Sequence, residues 1–230
     1  MDNPLLTIAR FAYSPNVRGY CGAYCSKGVE SILKKEYISD EEKRIVVEWL
    51  KTFPGLMLYL SSIATDYKKD IFDESVIKAY IIGELKDNRK ILDLIYERLH
   101  KLRYEKYVDL DKMKELPDDT PVTHNFHVLF LESKKHRDVK RMDSCKVSLG
   151  KVIGEKDNEI LVEYNELYLS ENKFKIRNSR KKVISPFFDV NVDEYVFIHW
   201  DTIFYFPNKK EREKYVRINE KLLEIINSSF

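Results

Sequence analysis

The chain has 230 residues, a formal net charge of +2, 43% hydrophobic residues and 34% charged residues. This composition predicts a folded globular protein and excludes an intrinsically disordered chain. The near-neutral charge gives no global reason to expect a nucleic-acid partner, and no apolar run approaches the ~20 residues of a membrane-spanning helix. The start lacks a secretory signal pattern, and three cysteines are an odd number. We therefore expect a cytoplasmic protein with no membrane partner and no disulfide framework.

Residues 7–28 form an aromatic stretch that Pro, Asn and Gly interrupt, and this pattern predicts a loop that buries its rings. Its polar members are the first candidate site residues: Arg10, Tyr13, Asn16 and Cys21. An arginine among aromatic side chains is able to bind an anion, although a buried ion pair with a helical acid is its commoner use. Cys21 is able to pack beneath the loop or to ligate a metal.

Four helices are predicted next, from capping residues and from apolar residues at helical spacing. Ser39 and Glu42 have the spacing of a capping box, and Pro54 starts the second helix. Asp73 and Asn88 are predicted to cap the third and fourth helices.

A domain boundary is predicted where the helical pattern stops. Leu116–Pro121 is rich in Pro and Asp, and the charged run Glu132–Arg141 follows after a short apolar segment. A charged run between two patterned regions is typical of a linker. We therefore predict an α-helical domain over residues 1–140 and a second domain over residues 141–230.

Beyond the charged run, the apolar period changes from helical to two, which is typical of strands. The predicted strands are short and closely spaced: Lys146–Leu149, Lys151–Ile153, Glu159–Tyr164, Leu167–Leu169, Lys173–Ile176, Lys182–Ile184 and Glu194–Trp200. Many short strands predict a small barrel, and Lys209–Asn227 predicts a helix after it. The predicted fold class is therefore α+β, an N-terminal all-α helical domain followed by a small OB/SH3-like β-barrel with a C-terminal helix.

Two motifs of the second domain keep a recognisable order and spacing. Cys145 precedes Gly150-Lys151-Val152 on the first predicted strand, and Asp193–His199 reads Asp-Glu-Tyr-Val, two apolar residues and His. A charged helix follows. Together these features resemble the HypC/HupF-type chaperones of nickel–iron hydrogenase maturation. The chain departs from that pattern at Leu149, where the family has Pro, and in carrying a domain before Cys145.

The resemblance implies a non-enzymatic accessory or chaperone protein of nickel–iron hydrogenase maturation, which contacts an iron unit or the immature large subunit. It implies that Cys145 is this contact and that His199 is a nearby ligand or proton acceptor, close to Cys145 at one end of the barrel. Thiolate and imidazole are both suitable ligands for iron. The implied partners are the hydrogenase large subunit or other maturation proteins. No resident cofactor is implied beyond transiently bound iron, and the oligomeric state stays open.

The N-terminal stretch carries a second resemblance. Its sequences Ala-Arg-Phe-Ala-Tyr, from Ala9, and Gly-Tyr-Cys-Gly, from Gly19, resemble a family of two-part proteins sometimes encoded near nickel–iron hydrogenases. This resemblance covers the whole chain, and it implies no particular chemistry.

Each candidate residue also has a simpler interpretation. A cysteine on a strand is usually a core residue, and a histidine that ends an apolar strand usually has a structural role. Cys21 and Cys25 with His124 and His127 are able to form a zinc site, but the His-x2-His spacing is tighter than zinc fingers use. We therefore expect no stoichiometric zinc, and the identity of any metal stays open.

An alternative function is single-stranded nucleic-acid binding by an OB-like barrel. The run Lys173–Lys182 is strongly basic, with Phe174, Phe187 and Phe188 nearby. Basic strands with stacking aromatic rings are typical of such proteins. A solvated hairpin is the simpler interpretation, given the near-neutral total charge.

Overall fold

A computed structural model describes the chain over residues 3–24, 27–83, 87–102, 110–131, 138–156 and 159–229. In these ranges the chain is helical as far as about residue 145, continues as a five-stranded sheet and ends in a long helix. The chain is therefore a mixture of α and β structure. None of the helices in the described ranges is both long enough and apolar enough to cross a membrane.

The first helix, α1, spans Pro4–Val17, so the predicted loop over residues 7–28 is wrong for its first half. Pro15 lies in the last turn, where it removes one helical N–H without preventing the turns before it. A Schellman motif ends the helix, because the N–H of Gly19 donates to the Asn16 carbonyl and that of Tyr20 to the Pro15 carbonyl, both at 2.9 Å. Gly19 has the positive φ, +75°, that this motif requires.

Five further helices follow: α2 Lys27–Leu33, α3 Asp40–Leu50, α4 Pro54–Tyr67, α5 Glu74–Ile82 and α6 Asn88–Lys101. The predicted capping box of Ser39 and Glu42 is confirmed, as is the N-cap Asp73, which accepts the N–H of Ser75 at 2.8 Å. The predicted cap of α6 is wrong by one residue. Asp87 accepts the N–H of Lys90 at 3.0 Å, and Asn88 is the first helical residue.

Short helical segments lead from α6 to the sheet: α7 Leu110–Lys114, α8 His124–Phe126 with a π-helical turn at His127–Leu131, and α9 Val139–Cys145. Most of the predicted linker, residues 132–137, lies outside the described residues. Its end belongs to α9, which Asp138 caps by accepting the N–H of Arg141 at 3.2 Å. Cys145 is thus the last residue of a helix, and the prediction that it opens a strand is wrong.

The sheet has five strands in the order β3-β2-β1-β4-β5. They are β1 Ser148–Lys156, β2 Glu159–Ser170, β3 Lys173–Val183, β4 Tyr195–His199 and β5 Thr202–Tyr205. Several of the predicted short strands are parts of longer ones, because β2 and β3 each continue through two of them. The central strand β1 pairs antiparallel with β2 and with β4, and Ser148 lies opposite Ile198.

The predicted closed barrel is wrong, because the sheet is open and has β3 and β5 at its edges. Closure requires the two edge strands to pair along their length. Here β5 has only four residues, and the residue after β3, Ile184, meets Thr202 in one isolated parallel bridge. The fold is therefore a helical region followed by an open antiparallel sheet and a C-terminal helix, not an OB/SH3-like barrel.

One face of the sheet carries an aliphatic core. Its buried members alternate along the strands, as period-two patterning requires: Val152, Ile160, Val162, Val183, Val196, Ile198 and Ile203. The side chains of Phe188, Val190 and Phe206 pack against this cluster. The core therefore includes the strand that carries the Gly-Lys-Val motif and the strand that ends at His199.

The last helix, α10, spans Lys209–Ser229, and the predicted terminal helix is confirmed with two more residues. Asn208 and Glu211 form a capping box at its start, with N–H to side-chain distances of 2.9 and 3.0 Å. Tyr215, Leu222 and Ile226 lie on its buried face.

The chain forms two compact units, and each draws on several segments. Unit 1 comprises Met1–Met57, Val147–Glu166 and Asn178–Pro207, and unit 2 comprises Leu58–Lys146, Leu167–Arg177 and Asn208–Phe230. The predicted division at residue 140 into separately folding parts stays a prediction.

Replacing Gly83 by Ala tests the packing of unit 2. Gly83 ends α5 with φ +95°, and an added Cβ would lie 2.6 Å from Cγ2 of Ile218 and 2.9 Å from Cγ2 of Thr123. Because both the backbone angle and the space are unfavourable, we expect Gly83→Ala to lower the free energy of unfolding by about 1–3 kcal/mol. Urea unfolding monitored by circular dichroism measures this change.

Gly154→Ala is the matched control for this substitution. Nothing lies within 4 Å of an added Cβ at Gly154, and its φ is not positive. We expect its unfolding free energy to stay within about 0.5 kcal/mol of the parent. Equal losses in the two variants would contradict the close packing assigned to Gly83.

Candidate functional site

In unit 1, a two-residue turn of Trp200 and Asp201 joins β4 to β5. Both residues have positive φ, +48° and +60°, which is the backbone of a type I′ hairpin turn. Aspartate tolerates this region, whereas a bulky tryptophan rarely occupies it. Trp200 is buried, and its ring stacks on that of Tyr20 with the centroids 4.2 Å apart. The burial of the ring offsets the strain of the turn.

The buried hydroxyl of Ser14, on α1, forms hydrogen bonds at this strained turn. It donates to the Trp200 carbonyl at 2.7 Å, and the Thr202 hydroxyl donates to it at 2.7 Å. The guanidinium of Arg18 also donates to Ser14 Oγ. Since a buried carbonyl without a partner is costly, this chain of hydrogen bonds fixes the hairpin against α1.

His199 ends β4 in a buried position next to α1. Its ring stacks on Phe11 with the centroids 4.1 Å apart and the planes within 3°. Nδ1 lies 2.8 Å from the Phe11 carbonyl oxygen. A carbonyl only accepts, so Nδ1 carries the proton, and the neutral ring has an unprotonated Nε2.

The Phe11 carbonyl is available to His199 because of Pro15. A residue four positions after Phe11 normally donates its N–H to that carbonyl in a helix, and proline has none. His199 therefore replaces a missing helical hydrogen bond. Nδ1–H donation to a backbone carbonyl is also the contact that orients histidines whose Nε2 binds a metal or accepts a proton.

The N-terminal candidate residues have structural contacts in unit 1. Arg10 donates to the carbonyls of Leu33 and Lys35 at 2.9 and 2.8 Å and lies 4.7 Å above the Phe188 ring. Burial lowers the pKa of Arg10, and its Nε–H and one terminal nitrogen are held by backbone. This arginine anchors two backbone carbonyls, with the Glu36 carboxylate as an electrostatic partner, and the anion site considered for it stays a prediction.

Two other candidate residues of α1 also have structural contacts. The Tyr13 ring packs edge-on against Phe187 with the centroids 5.1 Å apart. The Asn16 amide donates to the carbonyls of Cys21 and Ala23 at 2.6 and 2.7 Å, and this holds the turn after α1. Cys21 is exposed on that turn, and Cys25 lies outside the described residues.

In unit 2, two sequence candidates, His127 and Cys145, each lie next to a third, His124. The His124 and His127 rings lie 6.1 Å apart, three residues apart along α8 and its π-helical continuation. Nε2 of His124 lies 2.8 Å from the Cys145 carbonyl oxygen and 3.9 Å from Cys145 Sγ. Tyr59 packs edge-on against His127 at 5.5 Å. Single π-helical turns frequently occur at functional sites.

The hydrogen bonds of His124 fix its tautomer. The Cys145 carbonyl requires a donor, so Nε2 carries the proton, and the unprotonated Nδ1 accepts from the Tyr80 hydroxyl at 2.8 Å. The Nε2–H also lies within reach of the Cys145 sulfur. A hydrogen-bond donor next to a sulfur stabilises its thiolate form. Cys145 itself is half-buried.

A buried ion pair fixes the chain around Cys145. Lys146 Nζ lies 3.1 Å from an oxygen of Asp143, and that carboxylate also accepts the N–H of Leu167 at 2.7 Å. These contacts hold the end of α9 against the tip of the β2–β3 hairpin.

A second polar contact of unit 2 joins Asn125 and Tyr215. Asn125 donates to the Tyr215 hydroxyl at 3.2 Å, and burial raises the pKa of Tyr215.

The structure thus brings together His124, His127 and Cys145 in unit 2, and it places Arg10, Tyr13, Asn16, Cys21 and His199 in unit 1. The prediction that Cys145 and His199 lie close together stays a prediction, because each belongs to a different unit. Sequence reasoning missed Tyr80, Ser14 and Asp143. Only Tyr80 lies on a predicted helix face, where it reads as an ordinary core residue.

The chain matches a known protein family. Residues 3–230 match a family model described as a family of unknown function, DUF6390. No curated protein and no solved structure matches the chain.

Replacing Tyr80 by Phe tests the hydrogen bond that supports His124. Tyr80 is buried, and its hydroxyl is the donor to Nδ1 of His124. Removing it leaves a buried nitrogen without this donor, so we expect the free energy of unfolding to fall by about 1–3 kcal/mol. Urea unfolding of the full chain measures the change.

Tyr37→Phe is the control for this substitution, because Tyr37 is 87% exposed. A surface hydroxyl contributes little, and we expect a change within about 0.5 kcal/mol. If Tyr80→Phe were as harmless as Tyr37→Phe, the hydrogen bond to His124 would not contribute to stability.

Proposed function

We propose that this chain, which belongs to the DUF6390 family, is a non-enzymatic accessory protein of nickel–iron hydrogenase maturation. It contacts an iron unit or the immature large subunit through Cys145. The proposal rests on one observation: the Cys145 sulfur lies 3.9 Å from Nε2 of His124, a ring whose tautomer is fixed with the proton on that nitrogen. The resemblance of the segment from Cys145 to Val152 to HypC/HupF-type chaperones supplies the biological context.

The surroundings of Cys145 support binding. Thiolate sulfur is a soft ligand for iron and a nucleophile toward other sulfur centres. The Nε2–H of His124 supports the thiolate, and the Asp143–Lys146 pair holds the backbone on both sides of Cys145. Cys145 as a residue is only half-buried, and the proposal requires a partner to reach its thiol.

The same geometry favours binding over catalysis. A cysteine nucleophile needs a neighbouring histidine whose facing nitrogen takes the thiol proton. In the neutral ring, the nitrogen of His124 that faces Cys145 already carries a proton, because it donates to the Cys145 carbonyl. His124 therefore supports a thiolate without serving as its general base.

His199 supports the proposal from unit 1. Its Nδ1–H is held by the Phe11 carbonyl, and its unprotonated Nε2 is chemically suited to bind iron or accept a proton. We propose a cytoplasmic protein whose iron is bound only transiently. Its partners are the hydrogenase large subunit or other maturation proteins.

A second candidate function is single-stranded nucleic-acid binding, which the basic strand β3 favours. Arg180 and Lys182 are 66% and 61% exposed. Each lies near a carboxylate, Glu163 at 3.6 Å and Glu159 at 2.5 Å, which reduces the charge offered to phosphates. Titration of an oligothymidylate at two salt concentrations tests this candidate, because phosphate contacts give affinities that fall steeply with salt.

Cys145→Ser in the native cell tests the maturation role. We expect hydrogenase activity to fall by about tenfold or more, since even the outer-shell partners of a metal ligand contribute ~10–100-fold in affinity. Hydrogenase activity and processing of the large subunit are measured together with the cellular level of this protein. Cys21→Ser is the control, because Cys21 is exposed in the other unit. Full activity in the Cys145→Ser strain would contradict the proposal.

Metal binding by the purified chain separates the iron role from the subunit role. Anaerobic titration with Fe(II), and with Co(II) as a spectroscopic probe, is expected to give a thiolate-to-metal absorption band. This band should vanish in Cys145→Ser and persist in Cys21→Ser. A band that survives Cys145→Ser would exclude Cys145 as the ligand. No band at all, combined with lost maturation in the cell, would assign Cys145 to subunit contact.

A further inference from the structure

The strand β3 is an edge of the sheet, and the residue that follows it shows which way its backbone faces. Ile184 donates its N–H to the Asp201 carbonyl at 2.9 Å, and its own carbonyl accepts the N–H of Ile203 at 2.9 Å. Both groups of Ile184 therefore point away from β2, the neighbour of β3. In a ladder, the N–H and C=O of one residue face the same side, and alternate residues share that side.

By this alternation, the backbone N–H and C=O groups of Asn178, Arg180 and Lys182 face the open edge of the sheet. Phe174, at the start of the strand in unit 2, is an even number of residues away from Ile184 and belongs to the same alternating set. There the backbone N–H and carbonyl of Phe174 both meet the side-chain amide of Asn227 at 2.8 Å, as an added strand would meet them. At Phe174 and Ile184 the outward groups are thus satisfied. Asn178–Lys182 has no such cover among the described residues.

The alternate side chains of this segment are exposed and two of the three are basic, whereas Lys181 between them is largely buried and lies 3.2 Å from Asp201. Asn178, Arg180 and Lys182 are all exposed, and β3 carries six Lys or Arg residues and no acidic residue: Lys173, Lys175, Arg177, Arg180, Lys181 and Lys182. The carboxylates nearest Arg180 and Lys182 belong to β2 and are themselves 36% and 43% exposed. A ligand with acidic side chains at alternate positions matches this pattern in charge and in spacing.

Charge also decides between candidate occupants of the edge. A second copy of the chain pairing β3 with β3 would bring like charges face to face, which destabilises a ladder. Lysines at edges protect natural sheets from such self-association. A nucleic acid would use the charges but not the outward N–H and C=O groups. An extended acidic peptide uses both.

We propose that the Asn178–Lys182 edge of β3 binds an extended acidic peptide segment of a partner protein by strand addition. The backbone groups of Asn178, Arg180 and Lys182 supply the ladder, and the two basic side chains select acidic residues. Strand addition gives affinity through main-chain hydrogen bonds and specificity through alternate side chains. This inference does not rest on the role proposed for Cys145.

The test uses the full chain and a fluorescein-labelled eight-residue peptide of alternating glutamate and valine. Fluorescence anisotropy is expected to show saturable binding. The same peptide with N-methyl groups on alternate backbone nitrogens should bind at least about fivefold more weakly, the loss of roughly one hydrogen bond. The Arg180→Glu/Lys182→Glu variant should lose binding by more than tenfold.

Asn178→Pro tests the backbone of the protein itself. Proline is tolerated on an edge strand where its N–H would face outward, so this variant should keep its melting temperature and lose about fivefold in affinity. Asn178→Ala is the matched control and should bind as the parent does. The N-methylated peptide provides the same test without altering the protein, should Asn178→Pro not fold.

Three outcomes would overturn the proposal. The first is no saturable binding of the acidic peptide. The second is equal binding of the N-methylated peptide, which would show charge attraction without strand addition. The third is tighter, salt-sensitive binding of an oligothymidylate that Asn178→Pro leaves unchanged, which would make β3 a nucleic-acid surface.

Discussion

The hydrogen bond from His199 to the Phe11 carbonyl is the contact on which unit 1 depends. It exists because Pro15 withholds the N–H that a helix would place on that carbonyl. A residue at the end of β4 thereby completes a hydrogen bond of the first helix. The stacked Phe11 ring and the Ser14 hydroxyl, which binds the Trp200 carbonyl at 2.7 Å, extend the same contact into the hairpin. Hydrogen bonds and ring stacking therefore join α1 to both His199 and the strained turn that follows it.

A parallel arrangement orients the histidine of unit 2. His124 is held between the Tyr80 hydroxyl and the Cys145 carbonyl, both at 2.8 Å. The two buried histidines are therefore fixed as opposite tautomers by backbone carbonyls on opposite ring nitrogens. This difference gives them different chemistry: His124 presents a proton to a thiol, whereas His199 presents a lone pair. The proposed role of Cys145 follows from the first of these assignments.

Local signals in the sequence predict the caps and helices well and the long-range arrangement poorly. The capping box of Ser39 and Glu42, the N-cap Asp73 and the terminal helix depend on neighbouring residues and are confirmed. The sequence pattern misses the helix through Pro15 because proline usually indicates a loop. Only the folded chain shows that His199 donates to the Phe11 carbonyl, which lacks a helical N–H donor. The closed barrel was wrong because strand count does not reveal that β5 is too short to pair with β3. Candidate residues were found by type, but Tyr80 and Ser14 gain their roles only from contacts distant in sequence.

The nitrogen chemical shifts of the neutral histidine rings give the sharpest test of the two tautomer assignments. Two-dimensional NMR of the ¹⁵N-labelled full chain, above the titration range of the rings, distinguishes a protonated from an unprotonated ring nitrogen. We predict that His199 carries its proton on Nδ1 and that His124 carries its proton on Nε2. Pro15→Ala should weaken the His199 signature, because it restores the competing helical N–H, and leave that of His124 unchanged. A proton on Nε2 of His199, or rapid exchange between its tautomers, would contradict the hydrogen bond between His199 and the Phe11 carbonyl.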